Sequence, residues 1–149
     1  MRKQLVVGIA VLLLVGLLVA CGGSADSNVP AEEAVLVVKG QVSKELSLSM
    51  DGLKALGVET LNIEHPKNGP QDYEGVRLSA ILDEAGVQGG AATLVLTASD
   101  DYSAEVALAD AEACADCLVA IGDDGILSMA MAGMSSKAWV KDVVSIEVK

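Results

Sequence analysis

Short β-branched or alternating segments recur along the chain, and turn-forming residues separate them. In the clearest segment, residues 58–64, polar side chains alternate with Leu61 and Ile63, which is the period of two that a half-buried strand requires. Segments of this kind predict a β-dominant domain. The predicted strands are residues 34–42, 44–48, 58–64, 92–98, 102–108, 117–121, 126–131 and 140–148.

Three short helices complete the predicted elements, so the fold class is α+β. They are a helix capped by Ser49 that runs through Leu56, a helix capped by Ser79 and ended by Gly86, and a helix over residues 108–113. Between the strand at 58–64 and the second helix lies a segment rich in turn formers, HPKNGPQD at residues 65–72. It is predicted to be a loop.

The amino terminus has the pattern of an export signal. Arg2 and Lys3 precede sixteen residues, 5–20, that are all apolar or glycine. As a helix this run would span about 24 Å, which is shorter than the ~30 Å hydrocarbon core of a bilayer. The run is therefore predicted to be the apolar region of a signal peptide, residues 1–20, rather than a permanent membrane span.

The end of this run, LVAC at residues 18–21, resembles the bacterial lipobox. The resemblance implies a bacterial lipoprotein: cleavage before Cys21, diacylglycerol on its sulfur and acylation of the new amino terminus. An ordinary signal peptide with an incidental cysteine, or an uncleaved anchor, are the alternatives. Residues 21–33 are small, polar and acidic, as in a flexible tether, and the folded domain is predicted at 34–149. We expect a protein that is lipid-anchored through Cys21 on the extracytoplasmic face of the cell membrane.

The charge balance excludes a nucleic-acid partner. Residues 1–20 hold two of the ten basic side chains and no acid, so the rest of the chain keeps 8 basic and 21 acidic side chains, a net charge of −13. Binding to a phosphate backbone depends on clustered lysine and arginine. The three aromatic side chains of Tyr and Trp also offer no platform on which bases could stack.

Several segments, taken in order, resemble the oxidoreductase molybdopterin-binding domain, the catalytic domain of sulfite oxidase and its relatives. This resemblance implies a β-dominant fold with a mixed sheet. It covers residues 42–148. The matching segments are residues 48–56 (LSMDGLKAL), 73–87 (YEGVRLSAILDEAGV) and 94–108 (LVLTASDDYSAEVAL), followed by Trp139 and residues 146–148 (IEV).

The resemblance also shows what this chain lacks. In that family a pterin dithiolene holds molybdenum, and a protein cysteine after the strand that matches residues 58–64 supplies a further thiolate. Here residues 63–69 read IEHPKNG and contain no cysteine. The metal ligand therefore has no counterpart, and molybdopterin is implied by the resemblance alone. The net charge of −13 also disfavours an anionic cofactor.

We therefore predict a reduced, non-catalytic relative that acts as a binding or accessory module for an unidentified protein or small ligand. No catalytic residue and no metal ligand are assigned. The alternative is a molybdopterin-dependent oxidoreductase or a subunit of one. The candidate ligand loop comprises His65, Lys67, Asn68 and Arg77.

Cys114 and Cys117 form the most specific of the remaining motifs. Export would place them in an oxidising compartment, where paired cysteines usually join. A structural disulfide is favoured over a redox-active pair because both cysteines follow the predicted helix 108–113, whose carboxyl end disfavours a thiolate. A zinc site would need two further ligands, which the sequence does not offer.

Trp139 is predicted to pack in the core with its N–H bonded to backbone.

Overall fold

Two β-sheets and three short helices form the structure. The computed structural model describes residues 33–149, so the predicted signal peptide, Cys21 and nearly all of the predicted tether lie outside it. The strands are β1 (Leu36–Gly40), β2 (Leu46–Leu48), β3 (Val58–His65), β4 (Gly69–Arg77), β5 (Thr93–Ala98), β6 (Ser103–Ala107), β7 (Leu118–Ile121), β8 (Leu127–Ala130) and β9 (Val143–Val148). The helices are α1 (Met50–Lys54), α2 (Leu78–Ala85) and α3 (Leu108–Ala113), with a 3₁₀ turn at Ser136–Ala138.

The first sheet is mixed and has the strand order β2-β1-β9-β5-β6. Its central strands β1 and β9 are parallel, and all its other pairs are antiparallel. The second sheet has the order β3-β4-β7-β8 and is antiparallel throughout. The architecture is therefore α+β and β-dominant, as the sequence predicts.

The main core joins both sheets and all three helices. Leu36 and Ile146 from the first sheet, Val76 and Met129 from the second, and Leu53 from α1 are all fully buried or nearly so. A smaller cluster lies on the opposite face of the second sheet, where Leu118 and Ala120 flank the inward-facing Val119 in sequence. Because side chains alternate between faces along a strand, the second sheet has two apolar faces, one in the core and one outside it.

The Ser49 cap and the bounds of α3 are confirmed, whereas α1 ends at Lys54 instead of the predicted Leu56 and the start of α2 also differs. The Ser49 hydroxyl accepts a hydrogen bond from the Gly52 amide at 3.1 Å, and α3 has the predicted bounds. The predicted cap at Ser79 is wrong, because α2 begins at Leu78 and no side chain caps it. Strand β4 continues directly into α2, and the Leu78 amide donates to the Cys117 carbonyl at 2.9 Å, so the sheet satisfies the first amide of the helix.

The loop predicted at residues 65–72 is confirmed only for the turn at residues 66–68, because His65 ends β3 and β4 begins at Gly69. Residues from Gly69 onward belong to β4, which pairs with β3 without a break from His65↔Gly69 to Val58↔Val76. The glycine of the predicted loop, Gly69, has a positive φ and begins β4, whereas Gly75 further along the strand has a packing role. A Cβ at Gly75 would collide with the Val119 carbonyl oxygen of β7, so only glycine lets β4 approach β7 this closely.

Candidate functional site

The tip of the β3–β4 hairpin is built around His65. Its Nδ1 accepts hydrogen bonds from the backbone amides of Lys67 and Asn68, at 3.1 and 3.2 Å. These bonds close the turn and occupy the Nδ1 lone pair, so the ring proton of the neutral imidazole lies on Nε2. Lys67 and Asn68 are exposed at the tip. Three of the four predicted loop residues therefore lie together.

Three ring side chains meet on the outer face of the second sheet, and we refer to them as the aromatic cluster: His65, Tyr73 and Trp139. The His65 and Trp139 rings are edge-on, with centroids 4.5 Å apart, and the centroids of Tyr73 and Trp139 are 5.6 Å apart. The cluster covers the small apolar face formed by residues such as Ile63 and Ala130. Burial raises the pKa of the Tyr73 hydroxyl.

Trp139 corrects one expectation. Its indole Nε1 is buried, and within residues 33–149 it has no hydrogen-bond partner, so the predicted bond to backbone is absent. The side chain itself is only half-buried. A buried donor without a partner costs stability, so the ring is held there by its apolar and aromatic contacts.

Arg77 is not part of the hairpin tip, contrary to the predicted ligand loop. It lies at the other end of β4, eight residues from Gly69, and therefore about 25 Å along the strand from His65. Its guanidinium pairs with Glu59 at 2.8 Å and Asp116 at 3.8 Å, and it donates to the Ala115 carbonyl. The hydrogen bond to the Glu59 side chain is the main cause that raises the pKa of Arg77.

The structure joins Cys114 and Cys117 by a disulfide bond across the corner between α3 and β7. Cys117 is fully buried, whereas Cys114 is half-buried, with its Sγ 3.6 Å from the Ala132 carbonyl oxygen. Cys114 also lines an open cleft of about 590 Å³ whose walls include Glu105 and Lys137. Arg77 connects the loop between the two cysteines to the second sheet through its bond to Ala115.

The residues present do not fit a pterin-bound molybdenum that needs a protein thiolate. Within residues 33–149 both cysteine sulfurs are used in the disulfide, and residues 63–69 carry none. The guanidinium of Arg77 is already engaged by carboxylates, so it is not free to hold a phosphate. No group of three His, Cys, Asp or Glu side chains in the described part of the chain could hold a metal ion.

Cys21 lies outside the described residues, so its lipidation stays a prediction. Among the helices of residues 33–149, none has the length and apolar character to cross a membrane.

Sequence reasoning missed two parts of this site. It placed Trp139 in the core, against which Trp139 does pack, but it predicted neither the contact of Trp139 with His65 nor Tyr73 as its neighbour. The alternation of residues 58–64, continued by one residue, puts His65 on the same face as Leu61 and Ile63, but it does not identify Trp139 or Tyr73 as its neighbours.

The comparisons with known proteins bear on the fold. No family model matches the chain, and neither does any curated protein. The crystal structure of the sulfane dehydrogenase SoxCD from Paracoccus pantotrophus is similar, with a TM-score of 0.58 and 19% sequence identity over 76% of this chain and 37% of that chain. The chain thus spans little more than a third of that structure's length. At this identity the similarity shows the fold, and it confirms the fold class implied by the resemblance to the sulfite oxidase family.

Proposed function

We propose that this protein is a lipid-anchored, extracytoplasmic binding or accessory module, built on a molybdopterin-binding type of fold that does not perform the family's redox chemistry. One observation carries the proposal. The segment where the family's metal-binding cysteine would lie forms a closed hairpin tip, in which His65 packs against Trp139 and no sulfur is present.

Charge supports the same conclusion. A site for an anionic cofactor needs free cationic groups, and at the hairpin only Lys67 is available, since Arg77 is paired with Glu59 and Asp116. Strand β4 itself carries Asp72 and Glu74 on exposed positions. A region with this charge repels a phosphate-bearing ligand more than it attracts one.

The hairpin instead has the features of a recognition surface. Its tip presents Lys67 and Asn68 to solvent on a backbone that the His65 hydrogen bonds hold in one conformation. A surface that is already ordered loses less conformational entropy when a partner binds. An accessory role in a larger assembly would use such a surface.

The anchor rests on the sequence of residues 18–21. Each buried methylene of an acyl chain contributes about 0.8 kcal/mol, so two or three chains on Cys21 would hold the protein firmly on a membrane. We expect Cys21→Ser to abolish lipidation, so that the protein is either released into the soluble fraction or retains its uncleaved leader. The tether variant Ser27→Ala should remain lipidated and membrane-bound. An unmodified Cys21 in the mature membrane protein would contradict the anchor.

The claim that the domain does not bind molybdopterin is tested by the pterin content of the full-length protein, extracted in detergent from a host that makes molybdopterin. We expect no fluorescent pterin to be released on denaturation, whereas a molybdopterin enzyme expressed in the same host releases it. Release of pterin in proportion to the protein would instead support the alternative, a molybdopterin-dependent oxidoreductase or a subunit of one.

A further inference from the structure

The outer edge of β3 differs from the other three sheet edges. Strand β2 is three residues long, β6 packs against the 3₁₀ turn at residues 136–138, and β8 is bridged through Ser128 to Lys141. Strand β3 is eight residues long and pairs only with β4 within residues 33–149. Its outer row of amide and carbonyl groups is therefore open to another strand.

Strand β3 also lacks three of the devices that usually protect an edge. Proteins blunt exposed edges with proline, with lysine or with a bulge. The segment VETLNIEH contains neither proline nor lysine, and its register against β4 runs without a bulge over all eight residues. The strand carries charge only as carboxylates, at Glu59, which pairs with Arg77, and at Glu64. An extended peptide, above all a cationic one, can add to a long and regular edge of this kind.

The two faces of the β3–β4 hairpin differ in chemistry. One face carries Leu61 and Ile63 beside the aromatic cluster and is largely apolar. The other face carries Glu64 on β3, with Asp72 and Glu74 on β4, all exposed. A strand added beside β3 would place its alternate side chains on these two faces.

We propose that the edge of β3 binds an extended segment of a partner protein in which cationic and apolar side chains alternate. Its backbone would extend the second sheet, its cationic side chains would approach Glu64, and its apolar side chains would lie beside Leu61 and Ile63. This inference rests on the proposed function as a binding module and names the chemistry of the partner.

Charge disfavours two other candidates for binding to the β3 edge, a second copy of this chain and the chain's own residues 22–33. If β3 of a second copy paired with β3 and kept the acidic faces of the two hairpins on the same side, it would add a further Glu64, Asp72 and Glu74 to that face. These like charges would repel. The chain's own residues 22–33 carry three acids, one proline and no basic side chain, so they do not match that face either.

Trp139 supplies the readout, since it is the chain's one tryptophan and lies on the face that the apolar side chains would contact. The probe is a capped peptide of alternating lysine and valine, matched in length to β3 and titrated into the full-length protein in detergent. We expect the fluorescence emission of Trp139 to change saturably as this peptide is added. A peptide of alternating glutamate and valine, and a lysine–valine peptide N-methylated at alternate amides, should bind far more weakly.

A double variant tests the acidic face without changing the backbone. Glu64→Gln with Glu74→Gln should weaken binding of the lysine–valine peptide about fivefold, because each exposed ion pair contributes little alone. The control Glu45→Gln with Glu112→Gln removes the same charge from exposed positions elsewhere and should leave affinity unchanged.

Four results would overturn the inference: equal binding of the glutamate peptide, equal binding of the N-methylated peptide, equal effects of the two double variants, or a dimer of this chain that occupies β3. Pterin measured on the same preparation separates the two proposals. Pterin-free protein that does not bind the lysine–valine peptide contradicts this inference alone, whereas stoichiometric pterin contradicts the proposed function.

Discussion

The imidazole of His65 lies edge-on to the indole of Trp139, with the ring centroids 4.5 Å apart. This contact links the tip of the β3–β4 hairpin to the segment before β9, which is distant in sequence. It places an aromatic pair at a hairpin tip, residues 63–69, that contains no cysteine. The hairpin tip is thereby part of the packed structure, which is the basis for proposing a binding role over a redox role.

The contribution of Trp139 should come from its ring and not from its N–H. Because Nε1 has no partner within residues 33–149, Trp139→Phe should lower the free energy of unfolding by less than about 1 kcal/mol. Trp139→Ala removes the contacts with His65 and Tyr73 and should cost about 3 kcal/mol. Urea denaturation followed by far-UV circular dichroism measures both values. Equal losses for the two variants would mean that the N–H is bonded after all.

Stability should fall at alkaline pH through Tyr73. Burial raises its pKa above the ordinary value of 10.0, so the folded state favours the protonated hydroxyl. This contribution is fully present below pH 10 and is lost as the pH rises through the higher pKa of the folded state. In a Tyr102→Phe variant, phenolate absorbance should have its midpoint above 10.0. Tyr73→Phe should flatten the alkaline loss of stability, and an unchanged loss would show that another group causes it.

The disulfide should stabilise the corner between α3 and β7 modestly. Closing a loop of four residues contributes about 2 kcal/mol in the chain-entropy model, so Cys114→Ala with Cys117→Ala should lower the unfolding free energy by about that amount. Reductant should lower the stability of the wild type similarly and leave the double variant unchanged. Two titratable thiols in the exported protein without reductant would contradict a structural disulfide.

Gly75 should be intolerant of any side chain. Gly75→Ala places a methyl group against the Val119 carbonyl and should cost about 2 kcal/mol, because the close approach of β4 to β7 must be relaxed. Gly89 is the matched control, since a Cβ there would meet no atom within 4 Å. Gly89→Ala should be neutral or slightly stabilising. Similar unfolding midpoints for both variants would argue against the tight β4–β7 contact.

The sequence predicts the elements whose pattern is local. Strand β3 follows from strict alternation at residues 58–64, and α3 at Leu108–Ala113 has the predicted bounds. Strand β4 is missed because Pro66, Gly69 and Pro70 give residues 65–72 the composition of a loop, while pairing with β3 and β7 makes Gly69–Arg77 a strand. Local pattern cannot report a pairing that depends on distant residues.

The candidate site is predicted only in part for the same reason. His65, Lys67 and Asn68 are close in sequence and lie together at the tip. Arg77 is separated from them because the intervening residues are extended rather than folded into a loop. The contact of His65 with Trp139 joins residues far apart in the chain, and no local signal in the sequence reports it.

The molybdenum content of the full-length protein tests the central claim most directly. The protein is extracted in detergent from a host that makes molybdopterin, with and without reductant, and metal per chain is measured by mass spectrometry beside a molybdopterin enzyme from the same host. The account predicts molybdenum at the background of the host in both preparations. Stoichiometric molybdenum in either one would contradict it.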